Sequence, residues 1–156
     1  MAKLKSLYAT PETVEQAFYD ALEAGDVDAL MNVWSDEDEI VCIHPGGPRL
    51  VGPLAIAASW REILSNGPIN VRPSEPQVLQ GSLVSVHSVR SRVMALVRTE
   101  GVSAGMPQAT QAMTVNILVT HVFFKGAQGW RMVLHHASVT PEEADASMAP
   151  PAETLH

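Results

Sequence analysis

Helical spacing ends at Leu64 in this chain, and from Ile69 onward the apolar residues follow a strand rhythm. This order constrains the fold more than any single motif. Early helices followed by a run of strands give an α+β domain, in which a meandering antiparallel sheet uses the helices to cover a face.

The first helix opens at Thr10-Pro11-Glu12, with a hydroxyl cap, a proline suited to the first turn and an acid favourable to the helix dipole. Val14, Ala17, Phe18, Ala21 and Leu22 form its apolar stripe, and Gly25 ends it. Asp26 caps a short second helix through Val27, Leu30, Met31 and Trp34. The acidic turn Asp36 to Glu39 leads into a strand, Ile40 to His44, which Pro45-Gly46-Gly47-Pro48 breaks. A third helix begins near Pro53, carries Ala57, Trp60, Ile63 and Leu64 on one face, and stops at Asn66-Gly67-Pro68.

Four strands are then expected. Val71 to Gln80 contains Pro73 and Pro76, which suit only an edge or a bulge. Leu83 to Arg98 is long and valine-rich, Gly101 to Gln108 reads as a loop, and Met113 to Phe124 is a strong strand. Lys125 to Gly129 makes a hairpin connection and Trp130 to Val139 closes the sheet. The expected organisation is a flexible N-terminus over 1–9, one domain over 10–139, and a flexible acidic tail rich in proline and alanine over 140–156. At 156 residues the chain is long enough for one substantial core.

Charge and cysteine usage narrow the partners. With 10 basic and 17 acidic side chains the formal net charge is −7, which repels phosphate backbones. Arg90, Arg92 and Arg98 are spaced along one strand without clustering, so no nucleic-acid partner is expected. No apolar run approaches the roughly 18 residues of a membrane span, and the lysines near the N-terminus lack a following signal-peptide core, so no membrane partner is expected. The single cysteine, Cys42, fits a reducing cytoplasm.

Histidine carries the chemical interest. His44, His87, His121 and His136 all fall in expected strands, with no aspartate or glutamate beside them. Neutral imidazole titrates near physiological pH and can serve as a general base. Strict alternation places His136 on the face of Trp130, Met132 and Leu134, with His135 on the other side. The same rule puts His44 with Cys42 and Ile40, and His121 with Val119 and Phe123. Such residues also serve simply as core imidazoles bonded to carbonyls. Three of them could converge on Zn²⁺ or Fe²⁺, but no HxH or HxxxH pair supplies two ligands from one element. No metal and no other cofactor is therefore expected. Trp34 and Tyr19 fit apolar helical stripes, Trp60 is open between core and pocket, and Cys42 reads as a buried small hydrophobe. Met94, Met106, Met113 and Met132 suit an adaptable apolar lining.

Several pieces occur together: Ala24-Gly25-Asp26 before Leu30 and Trp34; Val41 to Gly47, then Gly52 and Trp60; and Gly129-Trp130-Arg131-Met132-Val133-Leu134-His135-His136-Ala137-Ser138. Over Pro11 to Val139 the chain resembles the nuclear transport factor 2-like superfamily, in its bacterial SnoaL-like branch. That resemblance implies a curved antiparallel sheet wrapped around three N-terminal helices as a cone, with an internal pocket and usually a dimeric assembly. Relatives include ketosteroid isomerase, limonene epoxide hydrolase, scytalone dehydratase, polyketide cyclases and non-catalytic binders, so the fold leaves the function open. The strands lack the carboxylate base of the first and the Asp-Arg-Asp set of the second.

The sequence thus points to a domain binding a small, largely apolar molecule. The expected pocket comprises Tyr19, Trp34, Cys42, His44, Trp60, His87, His121 and His136. One alternative is an isomerase, dehydratase or cyclase with His136 or His44 as catalytic base. Another is a non-catalytic dimerisation domain. A homodimer is expected through the sheet, covering a second face assigned to Val115, Ile117 and Val119.

Overall fold

A computed structural model describes residues 7–99 and 109–141. Helix α1 spans Pro11–Ala24, α2 Val27–Asn32 and α3 Pro53–Leu64. The strands are β1 Val41–Ile43, β2 Arg49–Val51, β3 Ile69–Gln80, β4 Val84–Thr99, β5 Ala109–Gly126 and β6 Gly129–Val139. They form one curved, open sheet in the order β2-β1-β6-β5-β4-β3.

The helix boundaries follow from local chemistry. Thr10 accepts from the Thr13 backbone N–H and Thr13 returns the favour, closing a capping box in front of Pro11. Gly25 ends α1 with a left-handed φ of 67°, and Asp26 caps α2 by accepting from Ala29 N–H. Trp34 and Phe18 are fully or almost fully buried where the helices meet the sheet.

The sheet departs from the sequence expectation in two respects. It is mixed, because β1 runs parallel to β6 while every other pairing is antiparallel. Strand β2, hidden after a Pro/Gly turn and only three residues long, has too short an apolar pattern to read. Pro73 and Pro76 do lie on an edge strand, and its register with β4 slips between Ser74 and Gln77, where Glu75 takes a φ of 50°.

A second bulge matters more. Val122 pairs with Leu134 and Phe123 with Met132, which leaves Val133 as an extra residue in β6. One extra residue reverses the alternation beyond it. Trp130 and Met132 point inward before the bulge, and His135 and Ala137 point inward after it.

Val115, Ile117 and Val119 face the helices, with the last two buried, so the expectation that they form an outer face is corrected. The expected loop over 101–108 and most of the two expected flexible ends lie outside the described residues. Tyr8, within the first of them, bridges to Gly129 and stacks on the Arg131 guanidinium. Among the described residues no helix is long and apolar enough to cross a membrane.

Candidate functional site

Between α1, α3 and the concave face of the sheet lies a cavity of about 160 Å³. Its walls are mainly aliphatic, with Leu22, Ile63, Ile69, Val71, Val93, Val119 and Ala137 among them. Polar groups enter from three sides: Tyr19 from α1, His44 from the segment after β1, and Ser91, His121 and His135 from the central strands.

The missing acid comes from a helix. Glu15 of α1 places Oε2 2.8 Å from His121 Nδ1 and 3.1 Å from His87 Nδ1. Burial of Glu15 opposes ionisation, but the hydrogen bonds from His121 and His87 and their attraction outweigh it, holding the carboxyl down at about 2. Glu15 is therefore an anion at neutral pH, and both imidazoles donate to it through Nδ1–H.

With His121 neutral and its Nδ1–H on Glu15, Nε2 is an acceptor. His135 Nδ1, 2.9 Å away, then donates to it, which leaves His135 Nε2 without a proton. The result is a line from carboxylate through two imidazoles to the cavity wall. Burial first, then the neighbouring histidines 121, 44 and 136, hold the His135 pKa well below its ordinary 6.5, so this ring is neutral at rest.

His44 is fixed by a separate contact. The Ser59 hydroxyl donates to the Ile56 carbonyl at 2.7 Å, so it can only accept from His44 Nε2–H, 3.0 Å away. Burial lowers the His44 pKa as well. Its ring packs edge-on against Trp60 at 4.7 Å between centroids.

In the cavity wall Trp60 Nε1 is buried without a hydrogen-bond partner, and Tyr19 Oη and Ser91 Oγ lie beside each other without good hydrogen-bond geometry. Burial, with the Glu15 charge adding to it, pushes the Tyr19 phenol pKa upward and keeps its proton in place. Leaving such groups unpaired costs stability unless a ligand or water meets them.

The sequence-derived site is partly reassembled. Tyr19, His44, Trp60 and His121 line the cavity. Trp34 and Cys42 are fully buried in the core and His87 sits behind the lining on Glu15, so none of these three forms the wall. Burial raises the Cys42 thiol pKa to about 12, leaving it a packing group. His136 is exposed on the convex face, and its assignment to the pocket is corrected: the Val133 bulge turns His135 inward instead.

The methionine expectation is also corrected. Met132 is core, Met94 and Met113 do not line the cavity, and Met106 lies outside the described residues. Glu15 and Ser91 are absent from the sequence-derived site, and Phe18, Leu22 and His135 are assigned there only to an apolar helix stripe or the opposite strand face. A signal existed for the first, because Glu15, Phe18, Tyr19 and Leu22 share one helical stripe. Among the described residues no set of three or more acidic, histidine or cysteine side chains is arranged to hold a metal.

Comparison with known proteins places this geometry in context. A family model described as SnoaL-like domain matches residues 12–142. A bacterial structure from Thiobacillus denitrificans, provisionally named a calcium/calmodulin-dependent protein kinase type II association domain, is 31% identical with a TM-score of 0.66, covering 86% of this chain and 98% of that one. A Streptomyces avermitilis structure, provisionally named a dehydratase of the nuclear transport factor 2-like family, is 23% identical with a TM-score of 0.68 and covers 85% and 99%. At that identity it supports the fold alone. The Arabidopsis thaliana F-box protein SKIP8 is 27% identical over 143 residues, 86% of this chain and 53% of the relative, so the chain spans about half the length of that curated protein.

Proposed function

Since this chain belongs to the SnoaL-like domain family, in which the fold does not choose the chemistry, we propose from its side chains that it binds a compact, largely apolar molecule and removes a proton from it. The observation that carries this reading is the line Glu15–His121–His135, which ends at the cavity wall.

Proton accounting supports a base at His135. A charge confined to that buried ring is unfavourable, as its lowered pKa reflects. When Nε2 takes a proton, however, the Nδ1 proton can pass to His121 Nε2 across 2.9 Å. The positive charge then rests on His121, 2.8 Å from the Glu15 carboxylate. General-base assistance of this kind contributes roughly 10²- to 10⁴-fold. Tyr19, Ser91 and Trp60 supply donors for an oxygen of the ligand, on which negative charge would develop.

Size limits the ligand. An apolar protein cavity of roughly 150 Å³ accommodates a single benzene-sized ring, and this one measures about 160 Å³. A compact cyclic ketone, aldehyde or phenol fits; a fused four-ring skeleton does not fit without opening of the cone. Isomerase, dehydratase and cyclase chemistry can each begin with such a proton transfer.

The test is deuterium uptake from D₂O into a panel of single-ring ketones, followed by NMR. Exchange catalysed by the protein should fall roughly 100-fold or more in His135→Gln. Equal exchange in that variant, with the ketone still bound, would remove His135 as base.

We also propose a homodimer through the convex face. Leu79, Val86, Val122, Leu134, Val41 and Val51 lie in one cross-strand row, one residue from each strand. Leu79 is 74% and Val51 51% exposed, and Phe124 stands half-exposed beside them. An apolar band of this kind favours a self-complementary contact. Val122→Glu/Leu134→Glu should convert a dimer to a monomer in light scattering, whereas a monomeric wild type at micromolar concentration would refute the assembly. We also propose a cytoplasmic setting, which the single thiol, buried Cys42, supports.

A further inference from the structure

The polar groups of the cavity do not meet at one point, because strand register holds them at two ends. His135 lies directly across from His121 of β5, whereas Ser91 lies across from Ile117, four residues further along that strand. Strands β6 and β4 flank β5, so two strand spacings also separate His135 from Ser91. At about 4.8 Å per strand and 3.3 Å per residue, their Cα positions are roughly 16 Å apart along the sheet. Two hydrogen bonds of about 2.8 Å and two short side chains do not close that distance on a single ligand atom. An elongated ligand with a polar group at each terminus spans it.

The two ends also differ in chemistry. At one, His135 Nε2 is left bare by the bond from Nδ1 to His121 and accepts. The Trp60 ring packs edge-on to His135 at 5.6 Å between centroids and carries a buried Nε1–H without a partner. An acceptor beside a donor suits a hydroxyl, which gives its proton to the first and accepts from the second. At the other end two hydroxyls, Tyr19 Oη and Ser91 Oγ, lie side by side on residues only 9% and 3% exposed. Two donors at one point suit the two lone pairs of a carbonyl oxygen. Apolar groups line the space between: Val119 and Ala137, paired across β5 and β6, and Phe18, whose ring lies 5.3 Å from His135 and 5.7 Å from Tyr19 between centroids.

We propose that the ligand is a single conjugated ring with a carbonyl at one end and an acidic hydroxyl opposite it, para across the ring. This assignment rests on the base proposed at His135 and names the substrate class on which that base acts. His135 Nε2 takes the hydroxyl proton, and the electron pair of the broken O–H bond spreads through the ring. Negative charge then collects on the carbonyl oxygen, where the Tyr19 and Ser91 hydroxyls donate to it. The His135 Nδ1 proton passes to His121, so the step consumes no oxidant and no second reactant. A meta isomer holds its oxygens closer together and cannot pass the charge to its carbonyl.

Titration of the full chain with 4-hydroxybenzaldehyde, 3-hydroxybenzaldehyde and benzaldehyde, followed by calorimetry and absorbance, provides the test. The 4-hydroxy compound should bind about tenfold more tightly than either of the others. Its bound form should show the red-shifted band of the anion at a pH where the free compound is neutral. Ser91→Ala, checked as folded by its thermal melt, should weaken that binding severalfold. Equal affinities for the two hydroxy isomers would overturn the two-ended ligand, as would an unaltered affinity in Ser91→Ala. Preference for the 4-hydroxy isomer without the red shift would instead refute the base at His135 and leave the two-ended ligand standing. Binding of none of the three would overturn both.

Discussion

Replacing Glu15 by Gln probes both the buried hydrogen bonds and their charge. The carboxyl lies at about 2 in the folded chain against an ordinary 4.5. At about 1.4 kcal/mol per pH unit, that difference corresponds to about 3 kcal/mol of folding stability at neutral pH. Glu15 is only 15% exposed, so solvent screens this contribution little. Because the folded value is depressed, the stabilisation is complete above the unfolded value and drains away as pH falls from 4.5 toward about 2. Urea denaturation of wild type and Glu15→Gln across that range should give curves about 3 kcal/mol apart near neutrality that converge in acid. A gap that stays constant from pH 7 to pH 2 would refute the ionised, doubly hydrogen-bonded carboxylate and the proton assignments built on it.

Three further outcomes follow from particular contacts. The His135 pKa lies below its ordinary 6.5, so the unfolded chain takes up a proton that the folded one resists. Stability should therefore fall as pH drops through 6.5, and the slope should flatten in His135→Gln, measured by thermal melts against pH. Gly129 has a φ of +84°, and a Cβ there would meet the Tyr8 carbonyl oxygen at 2.6 Å. Gly129→Ala should cost about 2 kcal/mol or more in a chemical melt, and an unchanged midpoint would mean that the Tyr8 bridge is not formed. Ala137→Phe should fill the cavity and abolish thermal shifts with single-ring ketones, at a stability cost of about 1–3 kcal/mol. Persistent shifts in a folded variant would place the ligand elsewhere.

Local signals in the sequence marked most of the architecture. Thr10-Pro11, Gly25-Asp26 and Pro53 act within a few residues of themselves, and the helices begin or end where these dictate. Pro73 and Pro76 announced an edge because proline cannot donate to a central ladder. The site was less legible. Glu15 and His121 are 106 residues apart, and no strand neighbour of His121 hints at the carboxylate that meets it. The distance between Ser91 and His135 likewise depends on register, which alternation within one strand does not reveal. His135 was missed for a different reason, since the period-two rule holds only while no residue is inserted.

That insertion gives the adjacent histidines 135 and 136 an unexpected significance. If the extra residue moved to the far side of this doublet during divergence, His136 would turn inward and His135 outward, and the cavity would still receive an imidazole. The doublet thus makes the site tolerant of a one-step frameshift in strand pairing. Column-by-column alignment with relatives would then misassign the base, because equivalence in space and equivalence in sequence differ by one position along β6.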